Sequence, residues 1–214
     1  RSDDQPRRFI DATVWVWTHE GRPVALEKIE ARENINTGVP QWGYCFTSLA
    51  SQRLRVAWDE ERSYQSREPG LRFLPVPGTP AVAERNFARR RQLRELVRDF
   101  SARILTNPDT KNSQEMRLLT TPLLEYDEVD GKTPKGAVFA FSTNGTNPDL
   151  VLVLESRPTA GGLAWHYAAA RLTTGGLTVR HLEQTVWEVP FISDYNPLPT
   201  WAFFDTPRVP VEAK

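Results

Sequence analysis

The sequence contains a single cysteine, Cys45, which excludes an intrachain disulfide. It sits between Tyr44 and Phe46 in a strand-like run, with no His or Lys close by in sequence, and reads as a small buried hydrophobe. Histidine is nearly as scarce. His19, His166 and His181 form no ligand-spaced pair with one another or with Cys45, so no metal site is expected. There is no excess charge of either sign: 27 basic residues face 27 acidic ones. That balance removes any global attraction to nucleic acid or to anionic membranes. Long apolar runs are missing too. The longest, Leu150 to Leu154, is far below the ~18 residues of a membrane span, so no transmembrane segment is expected in this chain. No Gly-x-Ser-x-Gly elbow and no phosphate-binding glycine loop occur, and no cofactor is implied.

What is present is tryptophan, alternation and one arginine-rich stretch. Seven Trp occur in 214 residues, a length suited to one large domain or two small ones. Ala12 to Trp17 alternates, with Thr13, Trp15 and Trp17 on one side, and reads as a strand. The turn residues at 19–23 and the run Val24 to Ile29 complete an N-terminal β-hairpin. A second strand pair is expected from Trp42 to Leu49 and Arg53 to Trp58, followed by a proline-rich loop over 59–80. One long helix is expected from about Ala81 to Leu105, because Leu93, Leu96, Val97, Phe100 and Ile104 form a stripe of period 3.6. Its other faces carry seven arginines from Arg85 to Arg103, which could track a phosphate backbone. The i,i+4 carboxylates Glu95 and Asp99 and the zero net charge favour a solvated face instead.

The second half reads as an antiparallel meander. Its strands are Met116 to Tyr126, with Pro122 marking a bulge or an edge, then Ala137 to Thr143 and Leu150 to Glu155. Asp130-Gly131 and Asn144-Gly145 supply turns. A long hairpin, Leu163 to Thr173 with Leu177 to Val189, is expected around Gly175-Gly176. It places Arg171 opposite Arg180, an unfavourable like-charge pair, so either a bulge shifts the register or a carboxylate such as Glu155 sits between them. The expected fold is therefore α+β: a curved antiparallel sheet around one long central helix, with the N-terminal hairpin attached. Residues 1–11 read as a polar linker and 12–189 as the domain. The Pro- and aromatic-rich 190–214, with Phe191, Tyr195, Trp201, Phe203 and Phe204, reads as a tail packed on that domain.

Two site readings follow. Trp15, Trp17, Trp165 and Trp201 are candidates for an exposed aromatic platform that binds a protein, a glycan or a small-molecule ligand. Alternatively Glu155, Arg117, Arg171 and Tyr126, charged or polar residues in apolar strands, line a pocket between sheet and helix. An enzyme would there orient a small anionic or ester substrate through arginine and use Glu155 as base. The structural account of the same residues is an ion pair of Glu155 with Arg117, Arg157 or Arg171 that fixes sheet register.

Several short pieces also resemble a known group. They are Gly21-Arg22-Pro23-Val24-Ala25 after a Trp-rich strand, Arg117-Leu118-Leu119 with Pro122-Leu123 and Tyr126, Gly136-Ala137-Val138-Phe139, Gly145 to Asp149, and Leu154-Glu155. Together they resemble an uncharacterised family of exported bacterial proteins, a resemblance that implies no activity. It fits a chain that starts at Arg1 with the charged run RSDDQPRR, as after a cleavage or anchor site. An exported or cell-envelope location is expected, with the cytoplasm as the alternative. The leading expectation is a non-catalytic exported binding module, with the pocket enzyme as its rival.

Overall fold

The computed structural model describes residues 9–34, 37–110, 112–127, 134–194 and 196–207. The alternation that opens the chain does form a hairpin. Strand β1 (Phe9–His19) pairs with β2 (Arg22–Glu33) in the register Val14 to Lys28, Trp15 to Glu27 and Val16 to Leu26. Its turn is made by Glu20 and Gly21, both with positive φ, which glycine adopts without a steric penalty. The next strand, β3 (Pro40–Ser48), continues the sheet against β2, not against the segment that follows it. The short β4 (Arg55–Ala57) pairs with β5 (Ser63–Gln65), which corrects the pairing expected for 42–58. β6 is only Leu74–Pro75.

The long helix is not formed. Helix α1 covers Asn86–Leu96, a single 3-10 turn covers Val97–Asp99, and β7 (Phe100–Leu105) follows as a strand. Phe100, Ala102 and Ile104 are buried while their neighbours are less so, a period of two. A spacing of four between Phe100 and Ile104 satisfies a helical and a strand period alike, and here the strand wins. The protein is mostly β, 56% strand against 7% helix, so the α+β class with a long central helix is overturned.

The remaining strands are β8 (Ser113–Tyr126), β9 (Gly136–Ser142), β10 (Leu150–Thr159), β11 (Gly162–Arg171), β12 (Gly176–His181), β13 (Gln184–Val189) and β14 (Trp201–Pro207). They build an eight-stranded curled sheet in the order β13-β12-β7-β8-β9-β10-β11-β6 and a four-stranded sheet in the order β1-β2-β3-β14. β8 loses register with β9 between Leu119 and Leu124, where Pro122 withholds a backbone donor. The expected hairpin of 163–189 does not exist, since β11 pairs with β10 and β6, and β12 pairs with β13 and β7. Arg171 therefore faces Leu150 and Arg180 faces Ser101 and Thr185, so the like-charge pair never arises. The real turn between β12 and β13 contains Leu182 at a φ of 52°, a residue that gives no turn signal in sequence.

Two cores result. The concave side of the curled sheet is filled by Leu93, Leu96 and Val97 of the helical segment packed on Phe139, Phe141 and Trp165. Its other face packs on the four-stranded sheet through Val138, Ala140, Val151 and Val153 against Leu26, Cys45 and Trp201. The aromatic tail supplies β14 and so completes that second layer. Residues 1–8 of the linker expected over 1–11, the expected Asp130-Gly131 turn and Tyr195 lie outside the described residues, and β1 already begins at Phe9, so 9–11 are strand.

Candidate functional site

β1 is an edge strand, and its two faces differ. Val14 and Val16 point inward and pack on the core between the sheets. Trp15 and Trp17 point outward and remain 57% and 53% exposed. From Ala12 to Thr18 the strand carries no charge, no proline and no glycine. The other sheet edges are blunted: β14 carries Asp205, β13 is six residues with Glu188, and β6 is two residues ending in Pro75. Natural proteins guard open edges with such devices. β1 has irregularities of register between Phe9 and Asp11 and between Trp17 and Thr18, and the Asp11 carboxylate accepts from Ala12 N at 2.9 Å, so the unguarded stretch is Thr13 to Trp17. Polar groups that would read a sugar are scarce beside the rings. Glu27, the cross-strand neighbour of Trp15, is buried and accepts a 2.6 Å hydrogen bond from Trp58 Nε1. Trp165 and Trp201 are both fully buried and belong to the cores, not to this surface.

Glu155 sits at one end of the interface between the sheets, fully buried. Arg22 grips it with two parallel hydrogen bonds, Nε to Oε2 and Nη2 to Oε1, both 3.0 Å. Arg157 Nη1 donates to Oε1 at 3.0 Å and the Tyr126 hydroxyl to Oε2 at 2.9 Å. Tyr126 reaches it because Gly136 lies between them in register, on the middle of three strands. A Cβ there would meet the Tyr126 hydroxyl at 2.6 Å and Leu154 O at 2.5 Å. Burial and the adjacent Glu155 carboxylate push the Tyr126 phenol well above its usual pKa, so it stays a donor. Both guanidinium groups also lie over the Phe73 ring, at 5.8 and 4.4 Å. These four hydrogen bonds occupy the lone-pair sites of the carboxylate and leave none turned to a substrate. The expected partner Arg157 is present, Arg22 was missed, and neither Arg117 nor Arg171 reaches Glu155.

Other charges are similarly committed. Lys28 and Glu30, both buried, pair at 2.8 Å at the opposite end of the interface, and Asn147 Nδ2 also donates to Glu30. Burial alone would lower the Lys28 pKa, but Glu30 and Asp149 raise it above the usual value. A cavity of about 450 Å³ opens there, lined also by the Arg32–Asp205 ion pair and by the exposed Glu33. Cys45 is buried beneath Trp201, whose Nε1 lies 3.1 Å from Sγ, and burial pushes the thiol up to about 12. Arg117 donates to the Gly145 carbonyl. On the helix, Arg89 pairs with Asp127, Arg90 and Arg94 with Glu125, and Arg91 with Glu95. Arg171 alone of the four pocket candidates is buried without a carboxylate. Among the described residues no group of three metal-ligating side chains occurs, and no helix is long and apolar enough to cross a membrane.

Comparison with family models, with curated proteins and with solved structures gives no match. What sequence reasoning missed was Arg22, 133 residues from Glu155 and close to it only through the stacking of two sheets.

Proposed function

We propose that this protein is a partner-binding module that docks an extended, uncharged segment of another protein along the open edge of β1. The observation that carries the reading is the unguarded edge from Thr13 to Trp17 with Trp15 and Trp17 exposed on one face. Strand addition would satisfy the free backbone groups of β1, and alternate apolar side chains of the partner would cover the two rings. Covering them is worth on the order of 5 kcal/mol before the cost of association. The enzyme reading has little support, because Glu155 is saturated by Arg22, Arg157 and Tyr126.

The test is a photocrosslinking amino acid at Thr13, on the tryptophan face, in the cells that make the protein. Glu188 on the edge strand β13 is the control position. One discrete adduct is expected from position 13 and none from position 188. The adduct should vanish when Trp15→Lys and Trp17→Lys are added, and its mass tells a second copy of this chain from a different protein. Equal labelling at both positions, or an adduct indifferent to the two lysines, would overturn the reading.

A further inference from the structure

The curled sheet does not close on itself, and the open seam holds a second feature, independent of the β1 edge. β11 has β10 along its whole length on one side. On the other side it has only β6, at His166 and Tyr167. Beyond that point β13 comes near, but it is joined to β11 only by the Tyr167 hydroxyl, 3.5 Å from Val186 O. A cavity of about 410 Å³ occupies the gap, walled by Ala169, Ala170, Trp187, Val189 and Leu198. That volume lies within the range of small-molecule sites, and the walls are the apolar surface such sites use.

Arg171 ends β11 in this wall and is 5% exposed. Three cations are buried among the described residues: Lys28, Arg89 and Arg171. Lys28 has Glu30 and Arg89 has Asp127. Arg171 has no carboxylate. Its Nη2 donates to Pro190 O at 2.6 Å and weakly to Gly175 O at 3.4 Å. Its Nε is buried without any partner, and Nη1 makes no hydrogen bond among the described residues. The Trp201 ring lies 5.9 Å from the guanidinium carbon. A buried guanidinium with donors to spare and no counter-charge is costly unless something supplies the anion. The cavity beside it is where an anion can enter. Arg72, exposed, lines the same cavity, and so does the exposed Asp194, which accepts a hydrogen bond from Asn196 at 2.8 Å. The two arginines leave a net positive wall.

We propose that this seam cavity binds a small organic monocarboxylate, with its head group on the Arg171 guanidinium and its apolar body along Trp187, Val189 and Leu198. A charge-assisted hydrogen bond in a site of low polarity gives the preference for an ionised head. With Arg72 and Arg171 offset by Asp194, the wall carries a net single positive charge, which favours a singly charged head over a doubly charged phosphate.

The experiment is a nuclear magnetic resonance titration of the whole chain with 4-phenylbutyrate, and in parallel with 4-phenylbutanol, its uncharged counterpart. The expected result is saturable movement of the Ala169 and Ala170 amides, the Trp187 indole and the Arg171 Nε–Hε signal with the carboxylate only. Arg171→Met should weaken binding at least about tenfold, and Arg72→Glu roughly threefold through the loss and reversal of a rim charge. The second variant alters an exposed residue and keeps the test decisive if the first does not fold. Equal responses to acid and alcohol, no response at millimolar acid, unchanged affinity in a folded Arg171→Met, or unchanged affinity in Arg72→Glu would each overturn the proposal.

Discussion

Glu155 and Arg171 lie on neighbouring strands, β10 and β11, and both are buried, yet their surroundings are opposite. Glu155 collects two arginines and a phenol, one of the arginines from the far sheet. Arg171 receives two backbone carbonyls and nothing charged. The first arrangement is closed: every donor already points at the carboxylate, and a ligand could enter only by breaking it. The second leaves donors beside a cavity. Charge in a strand end is therefore not the mark of a site by itself. Whether the fold has already neutralised it is what separates scaffold from binding surface.

The largest expected effect tests the closed half of this contrast. Glu155→Ala leaves Arg22, Arg157 and the Tyr126 hydroxyl facing one another without an acceptor. Urea unfolding should show a loss of about 2–4 kcal/mol, less than for a wholly buried pair because the arginines keep some solvent. Arg171→Met should do the reverse. Removing a buried cation that has no counter-charge is expected to leave stability unchanged or raise it by up to about 2 kcal/mol, read in the same unfolding experiment. A loss larger than about 1 kcal/mol would mean that its bonds to Pro190 and Gly175 hold the seam together, and the contrast with Glu155 would fail.

The smallest effect concerns a buried group that avoids the problem by staying neutral. The Cys45 thiol ionises near 9.0 in an ordinary setting and is raised to about 12 in the fold. Above pH 9 the unfolded chain releases this proton while the folded chain keeps it. The unfolded state then binds fewer protons, and stability falls as pH rises towards 12. Cys45→Ala should flatten this alkaline limb, measured as the urea midpoint between about pH 8 and pH 10.5. A limb as steep as in the natural chain would assign it to Tyr64 and Tyr126, whose phenols are also raised.

The N-terminal hairpin was legible because Thr13 to Trp17 alternates and is followed by a turn with local chemistry and the return run Val24 to Ile29. So was the irregularity at Pro122, since a missing donor acts where it stands. The helix was overextended because Phe100 and Ile104 fit both periods, and only the ladder to Met116 and Val179 decides between them. Gly175 misled in a different way. It looks like a turn residue, yet a Cβ there would come within 2.8 Å of Ile104 Cδ1, so its smallness serves packing. Trp15 and Trp17 could be proposed as exposed from the alternation, whereas Trp165 and Trp201 could not be told from them without knowing which faces are covered. The lone state of Arg171 depends on which strands flank it, and no local pattern encodes that.

One feature of the topology bears on how the molecule is made. The partner that covers β3 arrives last: Trp201 lies over Cys45 across 156 residues of sequence. At a synthesis rate of ~5–20 residues per second, the first three strands wait on the order of 10–30 s before their final neighbour leaves the ribosome. Throughout that interval β3 is a second bare edge beside β1, with a thiol under it that no indole yet shields. The nascent chain thus offers two bare pairing edges where the finished protein offers one.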